Sequence, residues 1–484
     1  MELKIERVDW LFFIMCFLVG IVAEEAFFRD QIGISYIIFT VVFYTIVFYK
    51  FRTYPFSHQR FGYLVLISIW ILAICYFLYD TALFYTLNIV VIPALVIFHL
   101  VLITSPQKRE WSNLRFLFYA ARRLFEGIGF SAIFTKHVAG LFRKKTNKKH
   151  YDIWIKIILG IAVSIPILFI ILNLLISADT QFERLINNIP SLFNFNAEYL
   201  FRFLIILIYT FTFFGFMEVL SRKNDNNVQK EVKPIVMDGI ITLTMLVLLD
   251  IVYVLFVAIQ FKYFFSGSLD EGYTYAEYAR RGFFELLFVT LINLSVTTGV
   301  INFTKHIHGF LKQTIRIALT VLVLSSGVLL VSAFMRMTMY EDAYGFTFTR
   351  VLAHSFMIFL MIIFAYTLIK IWLDKLSLFH FYFIASLIYY VGLNIVNIDK
   401  FVVERNIDRF ELTEKIDIYY LNSLSATGIL GLLEVYEKNP NVPELKDLLK
   451  ERKADIESIK NESWQSKNLT RNKAHEQLLE LNIN

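Results

Sequence analysis

The chain is poor in charge, in cysteine and in recognisable catalytic motifs. Charged residues make up 18% of its 484 positions, against about 25% in soluble globular chains. Phe occurs 50 times and Pro only 8 times, so lipid, rather than a water-excluding core, is the expected solvent for most side chains. Its two cysteines, Cys16 and Cys75, both lie inside apolar runs with no Cys-x-x-Cys pair, which excludes a disulfide framework and a thiolate metal site. No HExxH, GxSxG or P-loop signature occurs, and His58, His99, His137, His150 and His380 are scattered, with only His306 and His308 alternating. No metal, no cofactor and no catalytic residue is expected. The net charge of +6 is no nucleic-acid footprint, because the basic residues sit in loops beside apolar segments, where they act as topology signals.

What the chain does have is apolar sequence, 57% hydrophobic and 17% aromatic. A spanning helix needs about 20 mostly apolar residues. Such runs are expected at 10–23, 32–49, 61–79, 83–104, 153–176, 199–220, 235–261, 277–302, 315–335, 346–372 and 377–395. The first is followed by Glu24 and Glu25 rather than a small-residue cleavage site, so it reads as a retained anchor. The expected fold is all-α: a polytopic transmembrane bundle of about 11 helices with a small helical extramembrane domain.

Loop charge orients it. With the N-terminus in the cytoplasm, the inner segments carry 25 Lys and Arg, and the outer loops carry 4, namely Arg29, Arg184, Lys262 and Arg336. The alternation holds at every loop, which predicts a bacterial cytoplasmic membrane protein with a cytoplasmic N-terminus and an extracytoplasmic C-terminus. Four regions result: a four-helix membrane region at 1–104, a cytoplasmic basic segment at 105–152, a seven-helix membrane core at 153–395 and an extracytoplasmic tail at 396–484. In the basic segment Trp111, Leu114, Phe118 and Phe125 share one helical face, with Arg115, Arg122 and Arg123 elsewhere, the pattern of an interfacial helix. Arg143-Lys144-Lys145 and Lys148-Lys149 come next in the chain; they read as a docking site for anionic lipid or a protein partner, or as a plain topology determinant. The tail holds 13 basic and 16 acidic residues, with Leu421, Leu424, Leu433 and Tyr436, then Leu445, Leu448 and Leu449, at helical spacing.

Ionisable residues inside apolar runs are candidates for function, since such groups are costly in lipid and face protein or water. Glu277, Arg281 and Glu285 are spaced by four and share a face, with Arg280 beside them. Glu285 is about 12 Å below Glu277, and the expectation is a buried outer cluster with Arg336 or Arg350. The stripe reads as an outward-facing pocket for an anionic or zwitterionic group, or as a self-satisfied ladder that fixes packing. Asp250, mid-way along 235–261, is a candidate for proton or ion coupling, or a neutral acid bonded to a neighbouring helix. His354 is a candidate proton carrier or a satisfied polar contact. Asp179 ends the run 153–176 and could cap the next helix. Tyr340 and Tyr344 belong to an outer connection before Arg350, with Gly345 suited to a turn.

Four outer motifs carry a resemblance: Ser177-Ala178-Asp179; Tyr275–Glu285; Tyr340, Tyr344-Gly345 and Arg350; and Asn397-Ile398-Asp399 with Asn406-Ile407-Asp408-Arg409. Together they resemble a bacterial multi-pass family catalogued as domain of unknown function 4173, over roughly 150–435. That resemblance implies no activity and transfers no catalytic residue. All four motifs nevertheless fall on the outer side of the topology, which was derived independently from loop charge. The expected function is a non-enzymatic envelope sensing or organising subunit with an outward-facing polar site. The alternatives are a transporter or exporter of a polar or lipid-linked substrate, and an envelope enzyme using Glu277 or Glu285. Pro93 and Pro166 mark where broken transporter helices would fall.

Overall fold

The computed structural model describes residues 7–142, 197–222, 237–265, 283–304, 306–458 and 463–482, with single positions between 160 and 182. All regular structure among them is helical. The membrane part comprises α1 (Arg7–Phe27), α2 (Ile34–Lys50), α3 (Gln59–Leu78), α4 (Ala82–Thr104), α5 (Leu114–Phe142), α6 (Ala197–Ser221), α7 (Gly239–Phe265), α8 (Phe283–Phe303), α9 (Phe310–Tyr344), α10 (Phe348–Trp372) and α11 (Leu378–Ile395). The tail comprises α12 (Ile398–Thr413), α13 (Ile418–Asn422), α14 (Ser425–Lys438), α15 (Leu445–Ser458), a 3₁₀ turn at Trp464–Ser466 and α16 (Leu469–Glu480). Among the described residues nine helices are long and apolar enough to cross a membrane, and α2 is a shorter apolar one. The expected run at 153–176 lies almost wholly outside the described residues.

Two helices run further than their apolar patterns. The first was expected to stop at residue 23, but α1 continues to Phe27, because Glu24 is buried between Arg29 and Arg202, each at 3.5 Å. The stretch 340–344, expected as a loop, is the last turn of α9. Hydrophobicity ends near 335, but nothing there breaks a helix until Gly345. At 35 residues α9 is about 52 Å long, well beyond a hydrocarbon core of about 30 Å, so its polar end stands clear of the bilayer. Pro93 sits inside an unbroken α4, which removes the broken helix anticipated there.

The helices form two packed groups. Cys16, Val47, Val65, Leu72, Leu100, Phe116 and Met217 share a core drawn from α1 to α6, to which α11 contributes Leu387 and Val391. Leu246, Leu322, Leu330, Ala333 and Met357 share a second core in α7 to α10. The outer surfaces stay apolar: Ile240, Leu248, Ile251 and Leu255 of α7 are all exposed, tolerable only in lipid or against another apolar surface. A third core, built on Val402, Leu421, Leu432, Leu449 and Leu478, belongs to the tail and takes in Phe84 of α4.

The connections sort onto two faces. On one, the tail covers the α1–α2, α3–α4 and α9–α10 connections. On the other, Ser57 bonds the carbonyls at the end of α4, Lys50 at the end of α2 pairs with Glu218 near the end of α6, Met237 before α7 bonds Phe303 at the end of α8, and Asp374 after α10 meets Lys312 near the start of α9. The tail therefore lies opposite the face that carries Lys50, Arg52, Lys312, Lys370 and Lys375.

The amphipathic segment after α4 differs in detail from its expected face. Trp111 stacks on Phe61, centroids 3.8 Å apart, and packs beside His380. Within α5, Arg123 is buried, donating to Val219 O of α6 and to Glu126, while Phe118 and Phe125 are exposed. Arg123 is off the Trp111/Phe118 face, as expected, but is turned to the bundle, where its guanidinium satisfies a carbonyl in the last turn of α6. The exposed aromatic face is left for lipid. Arg143–Lys149 lies outside the described residues.

Candidate functional site

Polar side chains concentrate on the upper part of α9. Arg336 is buried two turns before the helix end, and its guanidinium reaches Gln260 Oε1 of α7 at 3.3 Å; Ser332 Oγ donates to the same oxygen at 3.1 Å. One turn higher Glu341 is also buried, and its Oε2 lies 2.8 Å from His354 Nδ1 of α10. His354 Nε2 faces the Phe334 carbonyl at 3.3 Å and Thr338 Oγ1 at 3.4 Å, and its ring packs on Phe334. Below Arg336 an open apolar groove of about 450 Å³ runs between α9 and α10, lined by Leu324, Val328, Val331, Met335, Met361 and Leu368, with Gln260 and Ser332 at its polar edge. The arrangement puts an amide and a hydroxyl at the edge of an apolar slot, a form suited to an amphipathic molecule, and the amide oxygen also receives the buried Arg336 guanidinium. No cluster of three or more potential metal ligands occurs among the described residues.

Above this group Tyr340, Tyr344, Gly345 and Arg350 form one unit. The Arg350 guanidinium lies over the Tyr340 ring, 4.1 Å from its centroid, and donates to Gly345 O. Tyr340 and Tyr344 pack at 5.0 Å. Gly345 has φ +84° and ψ 178°, a conformation almost confined to glycine. The next residue is clamped by the tail: Asn406 donates to Phe346 O at 2.8 Å and accepts from Phe346 N at 3.3 Å, while Arg409 donates to Ala343 O. Tyr420 OH accepts from Phe348 N at 2.7 Å. The Asn-Ile-Asp-Arg motif is thus the partner of the Tyr-Gly-Phe turn.

The same tail grips two further connections. Asp399, buried in the first turn of α12, accepts from Thr81 Oγ1 at 2.8 Å, and Asp80 accepts from Ala426 N at the start of α14. Burial holds the Asp399 carboxyl above the ordinary carboxylate range, the nearby Asp80 charge adds to it, and the Thr81 hydrogen bond works against both. At the far end Ser463 donates to Asp30, Gln465 to Glu25, Asn468 to Tyr76 O and Thr470 to Leu78 O. Ile34 N bonds Lys467 O, and a Cβ on Gly33 would come within 2.5 Å of that oxygen.

Of the residues singled out by sequence, Arg336, Tyr340, Tyr344, Arg350 and His354 lie along this one strip of α9 and α10. Glu285 does not join them: it is exposed near the start of α8. The depth expected of it presumed that it faced protein, whereas its face of α8, shared with the exposed Phe288 and Ile292, points outward. Asp179, Glu277, Arg280 and Arg281 lie outside the described residues. Asp250 stands apart, half-buried on α7 with Oδ1 enclosed and making no hydrogen bond. Sequence reasoning missed Gln260, which looked like the end of an apolar run, and the buried pair Asn88 and Asn394, bonded at 2.7 Å with Tyr390 on Asn88 Oδ1. Asn88 and Asn394 lie 306 residues apart, beyond what local periodicity can pair.

The family profile that matches the chain is a domain of unknown function, DUF4153, over residues 66–435. The chain belongs to this family. The resemblance to family 4173 is thereby corrected: short polar motifs at helix ends do not separate two families of multi-pass proteins, and the matched region begins well before 150, within α3. It spans the whole α9–α10 strip and ends in α14, so the clamp between Phe346 and Asn406 is internal to the DUF4153 domain. No curated protein and no solved structure matches the chain.

Proposed function

We propose that this DUF4153 protein is a non-enzymatic subunit of a bacterial cytoplasmic membrane, N-terminus inside and tail outside, that senses or organises envelope components through its outer face. The observation that carries this reading is the seat of the tail. Three separate outer connections, at 28–34, 79–81 and 345–348, are each hydrogen-bonded to it. A shift of α9 against α10 moves the Gly345–Phe348 turn and must move α12 with it. The tail is therefore a reporter of helix arrangement, and its exposed outer surface is where an envelope component would meet it. The candidate site adjoins this linkage, since Glu341 and Gly345 are a single turn apart.

The test is complementation of a deletion strain under envelope stress. Wild-type chain should restore growth. A tail-truncated chain and an Asn406→Ala/Arg409→Ala chain, both shown to reach the membrane, should not. Full rescue by either variant would remove the reading. One observation favours a second reading, a transporter of an amphipathic substrate: the slot of about 450 Å³ with Gln260, the acceptor for Arg336, at its polar edge. Substrate-dependent flux in proteoliposomes that survives loss of the Asn406 clamp would favour it over the first.

A further inference from the structure

A second polar cavity lies at the opposite end of the α7–α10 group. It measures about 350 Å³ and is lined by Lys312 and Arg316 of α9, Lys370 of α10, Asp374 after α10, and Thr304 after α8. Its floor is apolar, formed by Ile301, Ile307, Ile315, Leu319 and Ile371. Asp374 bridges two of the cations, with Oδ1 2.7 Å from Arg316 and Oδ2 3.0 Å from Lys312. The hydrogen bonds from Arg316 and Lys312 push its carboxyl down to about 2, so it carries a full negative charge at any physiological pH. Three cations against one carboxylate leave the lining two positive charges in excess. The surplus is held in place: Lys370 is buried and donates to Asp374 O at 2.6 Å.

Three further features define what would neutralise it. The N-terminus of α9 opens here, at Gly309 with no side-chain cap and no acid in its first turn, so the helix dipole adds to the positive potential. Trp372 lies beside the cavity, half-exposed, with its indole N–H on Thr320 Oγ1 at 3.2 Å, the placement of an interfacial anchor. Phe310, Ile317, Ile369 and Leu373, close in sequence to the lining residues, are exposed, apolar surface suited to lipid rather than water. A cationic mouth, an apolar floor and apolar surface suited to lipid match a molecule whose charged head and hydrocarbon body are joined, and basic pockets between helix ends hold such headgroups.

We propose that this cavity binds the headgroup phosphate of an anionic phospholipid from the bilayer, with Lys312 and Arg316 as the phosphate ligands and the apolar floor taking the first acyl carbons. Asp374 then occupies the position of a phosphate oxygen between the two ligands and competes with the lipid for them.

The experiment uses the purified full chain in a neutral detergent, titrated with dioctanoyl phosphatidylglycerol, dioctanoyl phosphatidylcholine or inorganic phosphate, and read by calorimetry and thermal unfolding. Phosphatidylglycerol should bind saturably and the zwitterionic lipid at least about tenfold more weakly. Lys312→Gln/Arg316→Gln should weaken phosphatidylglycerol by about tenfold or more; Asp374, mostly exposed, remains solvated in that variant, so the fold is retained. Asp374→Asn separates a ligand site from a mere clasp. A ligand site gains affinity for phosphatidylglycerol when its competitor is removed, whereas a clasp only loses thermal stability. Equal binding of both lipids, unchanged binding by the double variant, no gain in Asp374→Asn, or inorganic phosphate binding as tightly as phosphatidylglycerol would each overturn the proposal.

Discussion

Replacing Gly345 by alanine tests the linkage between membrane helices and tail at its tightest point. At φ +84° and ψ 178° a side chain costs about 1–3 kcal/mol through backbone strain alone. The added Cβ would also lie 2.9 Å from Asn406 Oδ1 and 3.3 Å from Arg409 Nη1. Asn406 must yield, which weakens two hydrogen bonds to Phe346 worth roughly 0.5–1.5 kcal/mol each. The total is about 2–6 kcal/mol, a factor of roughly 30 or more in the seating equilibrium. Asn406→Ala alone should cost about 1–3 kcal/mol by the same bonds. The two changes must couple. Once Asn406 is truncated the Cβ no longer meets its amide, Gly345→Ala adds only the backbone strain, and the double variant should cost less than the sum by about 1–3 kcal/mol.

Hydrogen exchange of the α12 backbone in the intact protein reads these numbers as local opening. Exchange in 398–413 should accelerate in both single variants, while the α1–α3 core stays protected. A Gly345→Ala protein whose α12 exchanges within about threefold of wild type, or strict additivity in the double variant, would show that turn and tail are not in energetic contact. The proposed readout through the tail would then have no physical path.

Three other outcomes are expected from the same geometry. Asp399→Asn should leave tail seating at neutral pH equal or stronger: the folded carboxyl is raised by burial, so wild-type stability falls as pH climbs from the unfolded value through the folded one, and the variant, still able to accept from Thr81, lacks that slope; a parallel pH profile for both proteins in thermal melts would contradict the assignment. Glu341→Gln should cost about 1.5–3 kcal/mol, the worth of a charged hydrogen bond, lowering the melting temperature while His354→Gln/Glu341→Gln recovers part of it; simple addition of two losses would mean the pair does not act together. A phosphatase fused after Asn484 should be active and a cytoplasm-active reporter inserted in 105–113 should be bright; the reverse pattern overturns the orientation.

The sequence made the membrane helices legible because lipid imposes a one-dimensional rule: an apolar run long enough to span must be helical. Every expected run among the described residues became a helix; polar residues prolong it at Glu24 and at 336–344, while the starts of α2, α7 and α10 fall two to four residues later than expected. Which helices pack together was not legible. Nothing local to 197–221 or 378–395 says that α6 packs on α1 or that α11 closes on α3, since apolar faces exposed to lipid and to neighbours look alike. The site was legible in part. Arg336, Arg350 and His354 are conspicuous in an apolar chain, but Gln260 and Asn88 are not, and Glu285 shows the converse, conspicuous yet exposed.

The gathering of polar motifs on one face now has two separable causes. Gly345, Arg350, Asn397, Asn406 and Arg409 hold a turn, cap a helix or clamp the tail, and seating alone accounts for them without any ligand. Arg336, Gln260, Glu341 and His354 do none of this. They are buried or half-buried between α7, α9 and α10, where replacing an ion pair with apolar residues of similar volume is often neutral or stabilising. Packing therefore gives no reason to keep a cation and a carboxylate there, next to an apolar slot. Under the proposed function their position one turn beneath the clamp gives one: a molecule entering the slot would alter the α9–α10 contact at the level where the tail is attached. Under the proposed function the clamp would carry that alteration to the tail, with no chemistry required of either group.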